Sequence, residues 1–241
     1  MNWPDRCTAV IPCWNEASSI GSLVTQVRAH LPEVVVVDDG STDATALRAA
    51  ASGAKVIRHA NNLGKGAALR TGLGNVESLG REWALMLDGD GQHSPEEIPA
   101  FLNRAAATGA SLVVGNRFGP VMIGAMPLLR RLVNRWMSRR LSIRAGQCLP
   151  DSQCGFRLVR ISAWAALPLR TDHFEIESEM LLAFANAGLR IEFVPVAVIP
   201  SSRPSRVRAL QDTVRWFCWW RQATRSRSSV VEPRVSCPAT Q

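Results

Sequence analysis

The sequence predicts an α/β fold in which a mostly parallel β-sheet is flanked by helices. Three observations support this prediction: short runs rich in Val, Ile and Ala recur along the first half of the chain, helix-like stretches separate them, and polar motifs follow several of the runs. Alternation of strand and helix is typical of a parallel sheet covered on both faces. The ligand crevice of such a sheet lies at the carboxyl ends of its strands, where the polar motifs fall.

The strands are predicted from apolar runs that are bounded by turn or cap residues. These runs are Thr8–Ile11, Val34–Val37, Ala54–Ile57, Trp83–Leu87 and Ser111–Val114. The helices between them are Ala17–His30, Asp43–Ala51, Lys65–Val76 and Pro95–Ala107. Ser94 stands at the expected N-cap and Pro95 at the first helical position, and both favour a helix start there.

The second half of the chain is less regular. A loop rich in Gly, Pro and Met (118–127) precedes a predicted amphipathic helix over 128–141, whose apolar face would be Leu129, Leu132, Val133, Trp136 and Met137. A loop that carries Asp151 and Arg157 follows. A helix over 175–187 then ends at Gly188 and precedes a strand over 190–199.

The last predicted helix, 207–221, is also amphipathic. Its apolar face would be Val207, Leu210, Val214, Phe217 and Trp220, with Trp216 and Trp219 alongside and arginines at the edges. This composition suits a helix in a membrane interface, and a helix docked on the protein's own core fits nearly as well. At 241 residues we expect one domain over 1–222, ending in this helix (207–222), and a disordered tail over 223–241.

Charge is distributed unevenly along the chain. Residues 1–116 carry 9 Lys and Arg against 12 Asp and Glu, a net charge of −3. Residues 117–227 carry 18 Arg and no Lys against 7 Asp and Glu, a net charge of +11. An acidic half can hold a cation, whereas an Arg-rich half can meet phosphates on a ligand, a lipid headgroup or a nucleic acid. A solvated basic surface would account for part of the excess.

The termini and the cysteines bear on location. The first residues lead directly into a strand-like run, without the basic, apolar and small-residue regions of a signal peptide. The six cysteines have spacings that fit neither a zinc knuckle nor a small secreted disulfide framework. No apolar run reaches the roughly 18 residues of a spanning helix. We therefore expect a cytoplasmic protein, soluble or peripheral on the inner face of the membrane.

The sharpest chemical motif is Asp88-Gly89-Asp90-Gly91-Gln92-His93, which directly follows a predicted strand. Two carboxylates one residue apart suit Mg²⁺ or Mn²⁺ with a diphosphate completing the shell, and flanking glycines let a bulky ligand approach. A solvated turn uses the same residue types, so the motif alone does not decide between the two.

Two further motifs follow predicted strands. Asp38-Asp39 ends a run of valines, and one of these carboxylates could bind a ribose or a base, while Ser41 could cap the next helix. Asn62-Leu63-Gly64-Lys65-Gly66 opens a helix and would bring a lysine and flexible backbone toward the crevice. Neither a phosphate-binding P-loop nor a dinucleotide-binding glycine motif occurs, which disfavours an ATPase or a dehydrogenase.

The ordered set of motifs resembles a known family. The series is Ile11-Pro12-Cys13-Trp14-Asn15-Glu16, Val37-Asp38-Asp39-Gly40-Ser41-Thr42-Asp43, Asn62-Leu63-Gly64-Lys65-Gly66, Asp88-Gly89-Asp90-Gly91-Gln92-His93, Gly115-Asn116-Arg117 and Asp151-Ser152-Gln153-Cys154-Gly155-Phe156-Arg157. It resembles the inverting glycosyltransferases of the GT-A fold, most closely the dolichyl- and polyprenyl-phosphate sugar synthases. The resemblance runs from about residue 7 to 221. It implies a Rossmann-like GT-A domain with a nucleotide-sugar half (7–116) and an acceptor half (117–206).

The resemblance also implies roles for individual residues. The donor nucleotide-sugar would be bound by Pro12, Asn15, Glu16, Asp38, Asp39, Lys65, Asp88 and Gly89. The metal, Mg²⁺ or Mn²⁺, would be held by Asp88, Asp90 and Gln92. The acceptor phosphate would meet Arg117, one of Arg130 and Arg131, Gln153, Arg157 and Arg206, and of the adjacent pair we favour Arg131. The catalytic carboxylates would be Asp90, Asp151 and Glu177.

Two acceptor chemistries and one non-catalytic role remain open from the sequence. A lipid phosphate is already anionic and needs positioning more than a base, which favours a polyprenyl phosphate as acceptor and a membrane surface as partner. A sugar or polyol hydroxyl would need a base, which Asp151, Glu177 or Glu179 could supply. A protein that only binds anionic surfaces would use the Arg-rich half alone. We do not expect a nucleic acid as partner.

Overall fold

The structure is a computed structural model that describes residues 2–118, 127–199 and 209–225. The strands are β1 (Cys7–Cys13), β2 (Val34–Asp38), β3 (Lys55–Arg58), β4 (Trp83–Met86), β5 (Leu112–Asn116), β6 (Arg157–Arg160) and β7 (Ile191–Pro195). The helices are α1 (Trp3–Arg6), α2 (Ile20–Arg28), α3 (Thr45–Ala51), α4 (Lys65–Ser78), α5 (Ile98–Thr108), α6 (Leu128–Ala145), α7 (Ile161–Ala165), α8 (Glu175–Asn186) and α9 (Ala209–Arg225), with a 3-10 turn at Pro95–Glu97 before α5.

The strands form one sheet in the order β3-β2-β1-β4-β6-β5-β7. Only β6 runs antiparallel, between β4 and β5, and the other pairings among the described strands are parallel. The predicted α/β fold with a mostly parallel sheet is therefore confirmed. The sequence did not reveal β6, because a four-residue strand carries too little periodicity to separate it from the loop before it.

Close packing between helix and sheet fixes the position of α4. Gly72 faces the sheet, and a Cβ there would lie 2.4 Å from Val10 Cγ1, so any side chain would push the helix away. Val10 and Val36 in neighbouring strands are fully buried, as central strands covered on both faces require. This packing holds the first residue of α4, Lys65, beside the carboxyl ends of the central strands.

The apolar face predicted for α6 is only partly correct. Met137 is buried, but Leu129 and Leu132 are 75% and 54% exposed. The buried side instead contains Ser138 and Ser142. These two hydroxyls bond the segment after the helix, because Ser138 Oγ accepts from Ser152 N at 3.0 Å and Ser142 Oγ accepts from Leu149 N at 2.9 Å. Polar contacts with a returning loop therefore decide which side of α6 is buried.

The C-terminal helix α9 packs on the domain through the buried Trp216, with Trp219, Trp220 and Ala223 partly buried against the core. Trp216 is 2% exposed, whereas Val214 and Phe217 are 57% and 41% exposed. The helix extends to Arg225, so residues 223–225, which we expected in the tail, are helical. Residues 207, 208 and 226–241 lie outside the described residues. Within the part that the structure describes, every helix is too short or too polar to cross a membrane.

Candidate active site

The predicted motifs meet at the carboxyl ends of β1, β2 and β4. Asp38 is the last residue of β2, and Asp88 lies two residues beyond β4. The backbone at Gly89 passes close to β1, where a Cβ would lie 2.8 Å from Cys13 Cβ. Gly91 has a φ of +74°, a conformation that glycine adopts at little cost. The two glycines thus allow the loop to turn both carboxylates into the crevice.

Lys65 joins two carboxylates from distant parts of the chain. Its Nζ lies 2.5 Å from Asp88 Oδ1 and 2.5 Å from Glu177 Oε1, the latter in the first turn of α8. Burial by itself lowers the pKa of Lys65, but the two carboxylates outweigh it and hold that pKa above its ordinary value. Sequence reasoning named all three residues without pairing them, since 112 positions separate Lys65 from Glu177.

The loop of Asp90 and Gln92 offers oxygen donors for a metal. Together with Asp88 they present two carboxylates and a carboxamide, which are ligands that Mg²⁺ and Mn²⁺ accept. Burial and the adjacent Asp88 charge raise the pKa of Asp90, because both disfavour a second negative charge here, and a bound divalent cation would relieve that repulsion. Among the described residues no three His, Cys, Asp or Glu side chains converge on one metal position. Oxygens from Gln92 or from a bound diphosphate would therefore have to complete the shell.

His93 lies beneath this loop as a neutral side chain. It is 4% exposed, and its Nε2 is 3.9 Å from Asp88 Oδ2. Burial lowers the pKa of His93 to about 4, although the nearby Asp88 opposes this shift. Its ring packs against Phe156 with centroids 5.3 Å apart. The imidazole therefore supports the loop from the apolar side and adds no charge at neutral pH.

Asp39 is oriented by the segment that precedes α4. Its Oδ1 accepts from Leu63 N at 2.9 Å and its Oδ2 from Gly64 N at 2.8 Å. His59 Nδ1 lies 2.7 Å from the same Oδ1. Asp39, one of the two carboxylates that we expected to bind a ribose or a base, is thus already hydrogen-bonded within the protein. His59 was not identified from the sequence, although it directly follows β3 and so lies at the same edge of the sheet.

The donor-side loops are bonded to each other. Asn15, in the left-handed region at φ +54°, donates its N–H to Ser41 Oγ at 2.8 Å and accepts from Thr42 N at 2.8 Å. Glu16 N donates to Thr45 Oγ1 at 2.8 Å. The alternative that Ser41 caps α3 is wrong, because that helix begins at Thr45 and Ser41 Oγ serves Asn15 instead.

The first turn of α4 is not open to a phosphate. Gly66 N and Ala67 N both donate to the carbonyl of Asp172, at 2.7 and 3.2 Å. A Cβ at Gly66 would lie 2.3 Å from Thr171 O, so the segment before α8 covers this end of the helix. The expectation that the backbone here approaches a ligand is therefore wrong. The Lys65 side chain, not the helix N-terminus, reaches the crevice.

Arg117 and Asp151 form the centre of the predicted acceptor side. Arg117 Nε donates to Asp151 Oδ2 at 2.8 Å and Nη2 to Oδ1 at 2.9 Å. Arg117 is 7% exposed and Asp151 fully buried. Burial raises the pKa of Asp151, but the Arg117 guanidinium outweighs it and holds that pKa below its ordinary range. The pairing uses Nε and Nη2, so Arg117 Nη1 takes no part in it.

Arg130 of α6 interacts electrostatically with charged residues of the crevice. Burial and the charge of Arg117 lower its pKa, while Glu177, Asp90 and Asp88 oppose that shift. These are the charges of the crevice, so its guanidinium lies within their electrostatic reach. Arg131, which we preferred from the sequence, stays a prediction, and its Nε is buried without a hydrogen-bond partner among the described residues.

Arg157 does not lie on the acceptor side as a free cation. It is 1% exposed, and its three nitrogens donate to the carbonyls of Cys154, Glu177 and Ser152 at 2.8, 2.7 and 3.0 Å. The assignment of Arg157 to an acceptor phosphate is therefore corrected: it holds the 152–157 loop against α8. Gln153, which we also expected at the acceptor phosphate, donates its Nε2–H to Ser178 Oγ at 2.8 Å. Arg206 lies outside the described residues.

Comparisons with known proteins identify the family of this chain. A family model described as glycosyl transferase family 2 matches residues 8–164. Glycosyltransferase AglJ of Haloferax volcanii is 32% identical over 216 residues, 89% of this chain and 69% of that protein. The UDP-N-acetylglucosamine--dolichyl-phosphate N-acetylglucosaminyltransferase of Methanococcus voltae is 31% identical over 211 residues, 79% of this chain and 84% of that protein. The undecaprenyl-phosphate mannosyltransferase of Micrococcus luteus is 29% identical over 214 residues, 80% and 84% of the two chains.

A solved structure shares the fold. Glucosyl-3-phosphoglycerate synthase from Mycobacterium tuberculosis, in complex with Mn²⁺ and UDP-glucose, matches with a TM-score of 0.71 at 22% identity, over 93% of this chain and 80% of that one. The expected GT-A fold is thereby confirmed. With the family model matching more than half of the chain, and its motifs gathered at one edge of the sheet, this protein belongs to glycosyl transferase family 2 and is a glycosyltransferase.

Proposed function

We propose that the enzyme transfers a sugar from a nucleotide-sugar to the phosphate of a polyprenyl lipid, with inversion and with a divalent metal. One observation carries the choice of acceptor. Asp151 and Glu177, two of the carboxylates that could serve a hydroxyl acceptor as base, are both buried in ion pairs with Arg117 and Lys65. A carboxylate whose pKa is held low by an arginine takes up a proton poorly. An acceptor that arrives as an anion needs no such base.

Glu179, the third carboxylate that could serve as a base, is also held by hydrogen bonds within the protein. Its carboxylate accepts from Arg170 N at 3.1 Å, and from Thr171 N at 2.9 Å and Thr171 Oγ1 at 2.7 Å. It thus orders the segment that covers the start of α4. A hydroxyl acceptor is accordingly disfavoured, although the fold alone admits it.

The arginines supply what a phosphate acceptor requires. Arg117 is oriented by Asp151 and keeps Nη1 outside that pair, and Arg130 lies near the same charges. Guanidinium groups bind phosphate oxygens through directed, charge-assisted hydrogen bonds. Together they would hold the acceptor phosphate for in-line attack on the anomeric carbon.

On the donor side, Asp88, Asp90 and Gln92 would hold Mg²⁺ or Mn²⁺. Such an ion supplies charge neutralisation for the departing nucleoside diphosphate. Lys65, fixed between Asp88 and Glu177, would add a cation at the same place. Asn15, Glu16 and Asp39, held by hydrogen bonds to neighbouring loops, would receive the nucleoside. The names of two relatives, which include dolichyl phosphate and undecaprenyl phosphate, support a polyprenyl phosphate as acceptor.

The surface shared by α6 and α9 suits an anionic membrane. Leu128, Leu129, Leu132, Trp136, Val214 and Phe217 are exposed apolar side chains, and we call them the apolar stripe. The rings of Trp136 and Phe217 lie 5.3 Å apart, so the two helices form one surface. Arg135, Arg139 and Arg140 of α6 are exposed, and the Arg140 guanidinium lies 5.4 Å from the centroid of the Trp136 ring. Apolar side chains bordered by arginines favour a peripheral position on anionic lipid.

The test is a transfer assay. Purified protein would be incubated with Mg²⁺ or Mn²⁺, a short polyprenyl phosphate and a panel of UDP- and GDP-sugars, and the lipid products identified by mass spectrometry. We expect one lipid-linked sugar, absent with EDTA and in Asp90→Ala, and retained in the surface control Asp5→Ala. Transfer to a sugar or polyol hydroxyl, with no lipid product, would refute the proposed acceptor.

A further inference from the structure

A hydrogen-bonded chain leads from the C-terminal helix to the acceptor arginine. It begins at Trp216 of α9, whose Nε1–H donates to Ser178 Oγ at 2.9 Å. Trp216 is 2% exposed and Ser178 fully buried. This hydrogen bond joins α9 to α8, and neither residue belongs to the motifs that identified the family.

The second half of the chain lies in the loop before β6. Gln153 Nε2 donates to the same Ser178 Oγ at 2.8 Å, and Gln153 N donates to Asp151 Oδ1 at 3.1 Å. Asp151 Oδ1 in turn accepts from Arg117 Nη2 at 2.9 Å. A hydroxyl oxygen has two acceptor positions, and here Trp216 and Gln153 take both.

We propose that Trp216 is a positioning residue for the acceptor site, acting on Arg117 through Ser178, Gln153 and Asp151. This inference rests on the proposed function insofar as Arg117 binds the acceptor phosphate. As a consequence, the orientation of Arg117 depends on the docking of α9. The outer side of this helix carries part of the apolar stripe. A surface helix would thus set the affinity for the acceptor without touching it.

The surroundings of Trp216 fix the direction of its N–H. Its ring stacks on Trp220 with centroids 5.3 Å apart and 6° between planes, and meets Trp136 of α6 edge-on at 5.6 Å. Buried polar groups linked in this way depend on each other, because losing one partner leaves another unsatisfied in a low dielectric. Removing the indole N–H would free Ser178 Oγ and loosen the Gln153 carboxamide.

The variants separate hydrogen bonding from packing. Trp216→Phe keeps an aromatic ring and removes the N–H. Ser178→Ala removes the shared acceptor with little change in volume, and Ser178→Thr restores a hydroxyl. Trp219→Phe is the matched control, since it makes the same change three residues along α9, on a partly buried ring with no hydrogen bond to Ser178.

The first readout is kinetic, with a short prenyl phosphate below its micelle concentration as acceptor, so that membrane binding does not enter. Losing one buried hydrogen bond is expected to raise the acceptor KM about 3- to 10-fold. This should occur in Trp216→Phe and Ser178→Ala, with the donor KM unchanged. Ser178→Thr and Trp219→Phe should stay within about twofold of wild type. Equal changes in both KM values, or in both Trp variants, would overturn the proposal.

The second readout needs no substrate. The backbone amides of Gln153 and Arg117 both donate to the Asp151 carboxylate, at 3.1 and 3.0 Å. Hydrogen exchange at residues 115–118 and 150–155 should accelerate in Trp216→Phe and Ser178→Ala but not in Trp219→Phe, while β1 stays protected. If wild type transfers no sugar to any prenyl phosphate, the proposed function fails. Hydrogen exchange alone then tests whether Trp216 positions Arg117. Unchanged exchange in these segments would refute this positioning role.

Discussion

Arg117 and Asp151 form a buried, two-pronged ion pair with N–O distances of 2.8 and 2.9 Å. The carboxylate also accepts from the backbone of both Arg117 and Gln153. One acidic side chain therefore orders the end of β5, the loop before β6 and the guanidinium between them. Each partner satisfies a charge that would otherwise be buried alone.

Removing the carboxylate should destabilise the fold. Asp151→Ala leaves the Arg117 guanidinium buried without its partner, which costs about 3–5 kcal/mol in the free energy of unfolding. Urea unfolding, followed by far-UV circular dichroism, measures this. Arg104→Ala is the control, because it breaks a surface pair with Glu192 and should cost less than about 1 kcal/mol. Similar losses in the two variants would contradict a structural role for the buried pair.

The same pair predicts a pH dependence. Since the pKa of Asp151 is lower when folded than when unfolded, its contribution to stability is fully present above about pH 4 and is lost as pH falls through the folded-state pKa. The difference in unfolding free energy between wild type and Asp151→Asn should therefore be constant from pH 5 to 8 and shrink below pH 4. Unfolding titrations across this range test it, and a difference that shrinks between pH 7 and 5 would contradict the assignment.

The sequence predicted those features that local pattern determines. The strands around Val10, Val36 and Leu85 are short apolar runs bounded by turns, and their carboxyl ends carry Asp38 and Asp88 in both prediction and structure. The parallel topology then brings those motifs together without further information. Fold and donor-side motifs could thus be predicted with the residues in place.

What the sequence could not show depends on partners far along the chain. Arg157 has the residue type of a phosphate ligand, but three backbone carbonyls surround it. Arg130 and Arg131 are identical in type and adjacent, so no local pattern distinguishes them. The packing of α6 was also mispredicted, because Ser138 and Ser142 are buried through hydrogen bonds that an apolar pattern does not contain.

The two adjacent arginines make a direct test of the acceptor site. Arg130→Ala should raise the acceptor KM roughly 10- to 100-fold, as expected when a charge-assisted hydrogen bond to phosphate is lost. Arg131→Ala, one position along the same helix, should change it less than about threefold. Steady-state kinetics with a short prenyl phosphate measure both. A larger effect at Arg131 would restore the assignment that the sequence alone favoured.

Glu177 should act by holding Lys65 and not as a base. Glu177→Gln keeps a side chain of the same shape and should lower kcat less than about tenfold, whereas loss of a general base costs about 10²–10⁴-fold. The measurement is kcat at saturating donor and acceptor across pH 6–9. Glu179→Gln is the companion variant, because Glu179 bonds Thr171 outside the crevice. A loss above 10²-fold in Glu177→Gln alone would return Glu177 to the role of base.

The apolar stripe should bind lipid. Leu129 and Leu132 are 75% and 54% exposed on α6, and burying a leucine contributes about 1.5–3 kcal/mol. Changing both to Glu should therefore weaken binding to vesicles that contain phosphatidylserine at least about tenfold, measured by co-sedimentation, while catalysis on a short soluble acceptor is retained.

Leu47→Glu provides the matched control for this surface. Leu47 is 73% exposed on α3, outside the apolar stripe, so its substitution should leave vesicle binding unchanged. Because α6 also carries exposed arginines, binding should also fall with salt and be weaker on phosphatidylcholine alone. Equal binding by the stripe variant, the control and wild type would place the lipid contact elsewhere on the protein, and binding that ignores both salt and headgroup charge would exclude the arginines from it.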